Sequence, residues 1–239
     1  MHIEPPGPAA RTLRDFAAHY LMIVLGILTA LGLEQAIEYS RDREGAREAQ
    51  AQIEAELRTN LQDIGDAMRE NESHLQTLRP VAAALAADLR TGMPLESLRH
   101  KISDEYRKRL VIGVMFPPFN HDAWDVAVAS QSASHIPVRR LQAYTAAYTA
   151  ERDTLEAMKL TVSAIYGPRM PDVLAATDLG IVDPHEFYFV IQQLIVAGAA
   201  AQSALGQTKA EVMKDLTTIG AAPPAGDHEA PAGSASGAP

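Results

Sequence analysis

The chain has 239 residues, a net charge of −9 at neutral pH and no cysteine. The acidic balance argues against a nucleic-acid partner, because binding phosphate needs a basic face. The absence of cysteine removes disulfides, thiolate nucleophiles and cysteine-based zinc or iron–sulfur sites together, and it is compatible with either redox compartment.

Residues 1–10, MHIEPPGPAA, are too rich in proline and glycine to begin a helix and read as a flexible lead. Phe16–Leu33 follows, eighteen residues without a formal charge. As a helix it reaches roughly 27 Å, about the thickness of a bilayer's hydrocarbon core, and it satisfies its own backbone polar groups as lipid requires. The stretch reads as a retained membrane-spanning anchor. The alternatives are a cleaved signal peptide, which would need small residues after the apolar core rather than Glu34-Gln35-Ala36-Ile37-Glu38-Tyr39, and a buried soluble helix. His19 and Tyr20 suit an interfacial position at one end. Arg11 and Arg14 before the anchor nearly balance Arg41, Arg43 and Arg47 after it. A short tail before an uncleaved apolar helix favours the N-terminus inside and the domain on the periplasmic side of an inner membrane.

Nothing stops a helix between Arg11 and Pro80. Glu34 to Glu48 alternates acids with arginines, a solvated face with pairs one turn apart. A seam then steps by four and three through Leu57, Leu61, Ile64, Met68, Asn71, Leu75, Leu78, Ala82, Leu85 and Leu89, the pattern of helix-on-helix or coiled-coil packing. Ala46, Gln50 and Ile53 approach it with one stutter. Pro80 predicts a kink, or a new helix stacked on the old. Asn71 reads as a bundle-rim position, with register-fixing pairing as the alternative.

Thr91-Gly92-Met93-Pro94 is a turn, and residues 95–109 have a helical charge pattern. Leu110–Phe116 is too short to span a membrane and is expected as a short strand or a buried helix end. Asp122 is a candidate cap for a short helix that Trp124, the lone tryptophan, anchors into the core. Pro137 opens the next helix, whose seam runs Leu141, Tyr144, Tyr148, Glu151, Leu155, Met158, Val162 and Ile165. This second stripe gives the first a surface to pack against. Gly167-Pro168 ends it, and Met170–Val182 reads as a loop. Asp183-Pro184 caps a last helix running to about Ile219. Its Phe187–Leu205 stretch carries Gln192 and Gln193 and reads as a core helix rather than a second anchor. Residues 221–239 cannot bury apolar surface and are expected to be disordered.

No HExxH, glycine-rich phosphate loop, GxSxG or paired-cysteine motif is present. No catalytic, cofactor-binding or metal-ligating residue is assigned, and no cofactor is expected. His121, Asp122 and His135 come nearest to a metal or acid–base cluster, but their spacing fits no standard ligand pattern. Glu34 and Glu38 could meet a cation or a partner's arginine and read better as water-facing acids at the membrane edge. Gly26-x-x-x-Ala30 would let two anchors approach closely, though such spacings arise often by chance in an apolar helix rich in small residues.

The run Val24-Leu25-Gly26-Ile27-Leu28-Thr29-Ala30-Leu31-Gly32-Leu33-Glu34-Gln35, the charged helix after it and Ala123-Trp124-Asp125-Val126 resemble a family of uncharacterised bacterial single-pass membrane-anchored helical proteins. The likeness covers most of residues 12–165 and implies a membrane location and no known activity. The expected organisation is therefore all-α: a flexible lead (1–11), an anchor (12–36), a bundle of about four helices (37–220) and a disordered tail (221–239). The expected role is a non-enzymatic interaction or scaffold protein, with membrane lipid and a second copy or another protein as partners. A sensory or ligand-binding bundle working with a separate signalling partner is the alternative.

Overall fold

A computed structural model describes residues 9–167 and 169–221, so the expected tail (from residue 222) and the first eight residues of the lead lie outside the described residues. Helix α1 runs without interruption over Ala9–Arg90, about 120 Å at the standard rise. Its first part stands clear of the rest: from Asp15 to Arg41 every side chain is exposed except half-buried Val24. From Ala46 on, the seam goes under, with Ile53, Leu57, Ile64, Leu75 and Leu85 all at 1% exposure or less.

Helix α1 continues through Pro80, so no new helix starts there. A proline removes one N–H from the ladder and crowds the carbonyl four residues back. Pro80 and Gln76 both lie on the exposed side, where water can take up that carbonyl, while Leu78, Val81 and Ala82 are held in the core. Packing on one face outweighs the defect on the other.

After α1 come α2 (Leu95–Lys101), a π-turn (Ile102–Tyr106) and a 3-10 turn (Arg107–Arg109). Residues 110–121 then have no regular structure, neither the strand nor the helix end expected for Leu110–Phe116. They form an extended strap running back along α1. Asn71 Nδ2 donates to the Met115 carbonyl (3.0 Å), and its Oδ1 accepts from the Met115 N–H (2.7 Å). Asn60 repeats the pattern at Asn120, with bonds of 2.8 and 3.1 Å. The two clamps fit one ruler: eleven helical residues from Asn60 to Asn71 and five extended residues from Met115 to Asn120 both span roughly 16 Å. Asn71 is therefore 1% exposed and a partner of backbone, not a rim residue.

Helix α3 (Asp122–Ala129) follows, then a 3-10 turn (Ser132–His135), α4 (Val138–Ile165), α5 (Arg169–Asp178) and α6 (Pro184–Thr218). Among the described residues there are six α-helices and no strand, and the protein is all-α. Because the strap returns the chain to the stalk end, α4 rises parallel to α1 and α6 descends antiparallel to both. Helix α6 is the element on which α1 and α4 both lean most. Leu57, Tyr144 and Val212 meet at the stalk end, Ile64, Met158 and Leu205 in the middle, and Leu85, Ile165 and Phe187 at the far end. Phe187–Leu205 of α6 buries seven side chains, as expected of a core helix.

Residues 169–178 are helical where a loop was expected. Pro171 sits in the first turn, where a missing N–H costs nothing, and Met170, Val173 and Thr177 bury one face. Asp183 caps α6 as predicted, accepting from the His185 N–H at 2.8 Å. Asp122 does not cap α3; the Ala123 N–H is instead taken by Glu56 Oε2 from α1, at 2.9 Å.

Candidate functional site

A polar ladder joins α1 to α4 along their parallel faces. Glu54 Oε1 accepts from Arg140 Nη1 and from the Tyr144 hydroxyl, each at 2.7 Å. Glu56 Oε1 accepts from the Tyr148 hydroxyl at 2.5 Å. Asn60 Nδ2 donates to Glu151 Oε2 at 2.9 Å. Arginines at this end also tie down the end of α6: Arg140 donates to the Ile219 carbonyl at its C-cap (3.3 Å), and Arg58 to the Ala221 carbonyl just beyond it (2.9 Å).

The top rung differs from the others. Glu151 is 2% exposed, yet only Oε2 has a partner; Oε1 is buried and finds none among the described residues. An unpaired carboxylate in such a place is costly, so burial, with the charge of Glu56 adding to it, pushes its pKa up to about 8 against the opposing Asn60 hydrogen bond. At neutral pH Glu151 is chiefly the uncharged acid. Burial, then the bond to Glu56, likewise drives the Tyr148 phenol far upward, so it stays neutral.

Glu151 stands in the wall of a cavity of about 340 Å³ between the start of α3 and the outer face of α4. Its apolar lining is Phe119, Trp124, Tyr148 and Leu155, and its mouth carries His121, Asp125 and Arg152. Trp124 and Tyr148 sit with ring centroids 5.6 Å apart. Phe119 adopts a left-handed backbone (φ 46°), a conformation that bulky residues rarely hold and that gathers at functional sites. The residue is held there by burial and by the Asn60 clamp on its neighbour Asn120. His121 Nδ1 pairs with Asp125 Oδ2 at 2.8 Å, which raises the imidazole's pKa.

His121, Asp122 and His135 are not brought together. His121 turns to Asp125, Asp122 is an exposed residue in the first turn of α3, and His135 pairs with Asp42 of the stalk at 3.6 Å. No group of three His, Asp or Glu side chains able to hold a metal ion occurs among the described residues. Glu34 and Glu38 lie exposed on the stalk, and nothing lies within 4 Å of where a side chain at Gly26 would begin. The residues that build the cavity's chemistry, Asn60, Glu56 and Glu151, carry no motif. The one available signal was an acid at a seam position, a charge where the repeat calls for a hydrocarbon.

The fold and cavity define a helical bundle on an apolar stalk, with a buried, half-satisfied acid in an aromatic groove. The chain matches no protein-family model, no curated protein and no solved structure.

Proposed function

We propose that the protein is a single-pass membrane-anchored helical protein. It would carry its bundle on the stalk of α1 and act as a non-enzymatic interaction or scaffold module, on the periplasmic side of a bacterial inner membrane. The observation that carries this reading is the surface of the stalk. Phe16, Leu21, Ile23, Leu25, Leu28 and Leu31 are each more than half exposed, and the apolar window of α1 is 0% buried. A soluble helix turns one apolar stripe inward, whereas this one is apolar all round with nothing of its own chain against it. A second helix, α6, is also long and apolar enough to cross a membrane, but its window is 39% buried in the core. The seams of α1 and α4 are largely used up inside the chain, which leaves the anchor, with its Gly26-x-x-x-Ala30 face, as the surface for a second copy.

The test is extraction of membranes from cells making the full-length chain. Retention in the pellet through alkaline carbonate is the expected outcome, together with release of a Leu25→Lys/Leu28→Lys variant. A wild-type chain found in the soluble fraction refutes the anchor. A C-terminal reporter active only outside the cytoplasm tests the side. A second reading, a ligand-binding bundle, is favoured by the cavity beside Glu151.

A further inference from the structure

We infer that the groove between α3 and α4 binds a small aromatic carboxylate, its ring lying against Phe119, Trp124 and Tyr148 and its carboxylate accepting from Arg152 and Thr149 at the mouth. This rests on the ligand-binding reading of the cavity and is independent of whether α1 enters a bilayer.

The inference begins with the polar groups that the cavity leaves open. Most of those in its wall are spent. The Tyr148 hydroxyl donates to Glu56, Thr145 Oγ1 donates to the Leu141 carbonyl of its own helix, and Glu151 Oε2 accepts from Asn60. Glu151 Oε1 is shut off from the space. His121 and Asp125 balance each other across 2.8 Å. Arg152 is different. Its only ion pair among the described residues is one Nη2 contact of 3.5 Å to its chain neighbour Asp153, which does not line the cavity. A guanidinium carries five N–H donors in a planar fork, so most of them stay open. Thr149 lies three residues earlier on the same face of α4, also in the lining, and its hydroxyl has no partner among the described residues. Fork and hydroxyl together present donors to a planar, two-oxygen acceptor, which a carboxylate supplies.

Charge and shape select the same ligand. His121 and Asp125 form a pair, and Glu151 is chiefly the uncharged acid at neutral pH. Arg152 is therefore the one charge in the lining that no other lining residue matches. A cation entering here would have to take Asp125 from His121. The walls set the body of the ligand: Phe119, Trp124, Tyr148 and Leu155 are apolar, and the Trp124 and Tyr148 rings, tilted by 41°, offer faces and edges to a further ring. A space of about 340 Å³ takes a ligand of small-metabolite size. The Arg152 side chain is 69% exposed, so water screens its charge. Ring burial thus supplies most of the affinity, and the guanidinium decides between acid, alcohol and amine. No covalent bond changes.

The lone tryptophan is in the groove, so its fluorescence reports occupancy directly. Full-length protein in an uncharged detergent is titrated at neutral pH with sodium phenylacetate, benzyl alcohol and benzylammonium chloride at matched ionic strength. The expected result is a saturable change in Trp124 emission, with phenylacetate binding about fivefold tighter than benzyl alcohol and benzylammonium binding weakest. Arg152→Gln should weaken phenylacetate about threefold, the scale of an exposed charge, while leaving benzyl alcohol and the circular dichroism unchanged. Thr149→Val should act in the same direction. Should Arg152→Gln fail to fold, the comparison of the three probes on the wild-type chain decides. Saturation by benzyl alcohol or benzylammonium as readily as by phenylacetate overturns the carboxylate assignment and leaves a ligand groove. No saturable response to any probe overturns both. A folded Arg152→Gln chain that binds phenylacetate as wild type does overturns the role of Arg152.

Discussion

Glu151 makes the pH dependence of stability predictable in sign and rough size. Its pKa stands at about 8 in the folded chain, against an ordinary 4.5. The folded state therefore holds a proton that the unfolded chain has already released over that window. Stability from this source is complete below pH 4.5, falls as pH rises, and is gone once pH has passed 8. A difference that wide is worth on the order of 5 kcal/mol, and for a bundle of this size that is about 10–20 °C in Tm. Replacing Glu151 with Gln removes the titration while keeping an oxygen for Asn60 Nδ2. Thermal unfolding of the full-length protein in detergent, followed by circular dichroism at pH 5, 7 and 9, should give a wild-type Tm falling with pH. The Glu151→Gln profile should be much flatter. His121 contributes a loss of the same sign, because its bond to Asp125 raises its pKa, but that contribution is common to both proteins and cancels in the difference. Parallel profiles for the two chains would refute the burial of an uncompensated acid.

Other expectations follow from packing and hydrogen bonds. Asn60→Ala should cost about 3 kcal/mol and Asn71→Ala about half that, since Asn60 loses the strap and Glu151 together while Asn71 loses the strap alone; denaturant titration reads the order, and hydrogen exchange at Met115 and Asn120 should quicken only in the matching variant. Ile64→Ala, at a fully buried centre of the middle layer, should cost 2–5 kcal/mol by the same titration, roughly what such cavities cost elsewhere. Gly65→Ala should stabilise by up to about 1 kcal/mol, because helix propensity favours alanine and the new methyl meets only the ends of Arg69 and Lys209 at 3.7 Å. Gly198→Ala should gain less, its methyl lying 3.1 Å from Leu75 Cδ2; equal gains at the two positions would show that the α1–α6 contact is looser than described.

The helices were legible because their signals repeat. The seams of α1 and α4 recur every three or four residues over many turns, and no single exception obscures them. Pro80 illustrates how such a signal outvotes a local rule. Its fault lies on the watered side of α1, and the apolar residues around it belong to one continuous stripe. Helix α5 was missed for the opposite reason. It is ten residues long and follows Gly167-Pro168, which reads as a helix end, while its own Pro171 lies in the first turn, where proline breaks nothing.

The strap and the groove were illegible because their partners are far apart in sequence. Asn71 meets Met115 across 44 residues, Asn60 meets Asn120 across 60, and Asn60 meets Glu151 across 91. Asparagine in a helical seam announces only that something polar must meet it. It cannot announce an extended segment whose five residues match three turns of helix. Yet the three anomalies in the two seams, Asn60 beside the first, Asn71 within it and Glu151 in the second, are all tied into the strap or the groove it leads to. A polar residue tolerated in a long apolar repeat loses burial energy at every such position, and a chain that carries three has each of them answered by a specific bond except at Glu151 Oε1. That exception lies where the strap ends, where a phenylalanine is held left-handed and where the only tryptophan stands. The convergence of these features at one point, rather than any one of them alone, makes the groove the place to look for this protein's chemistry.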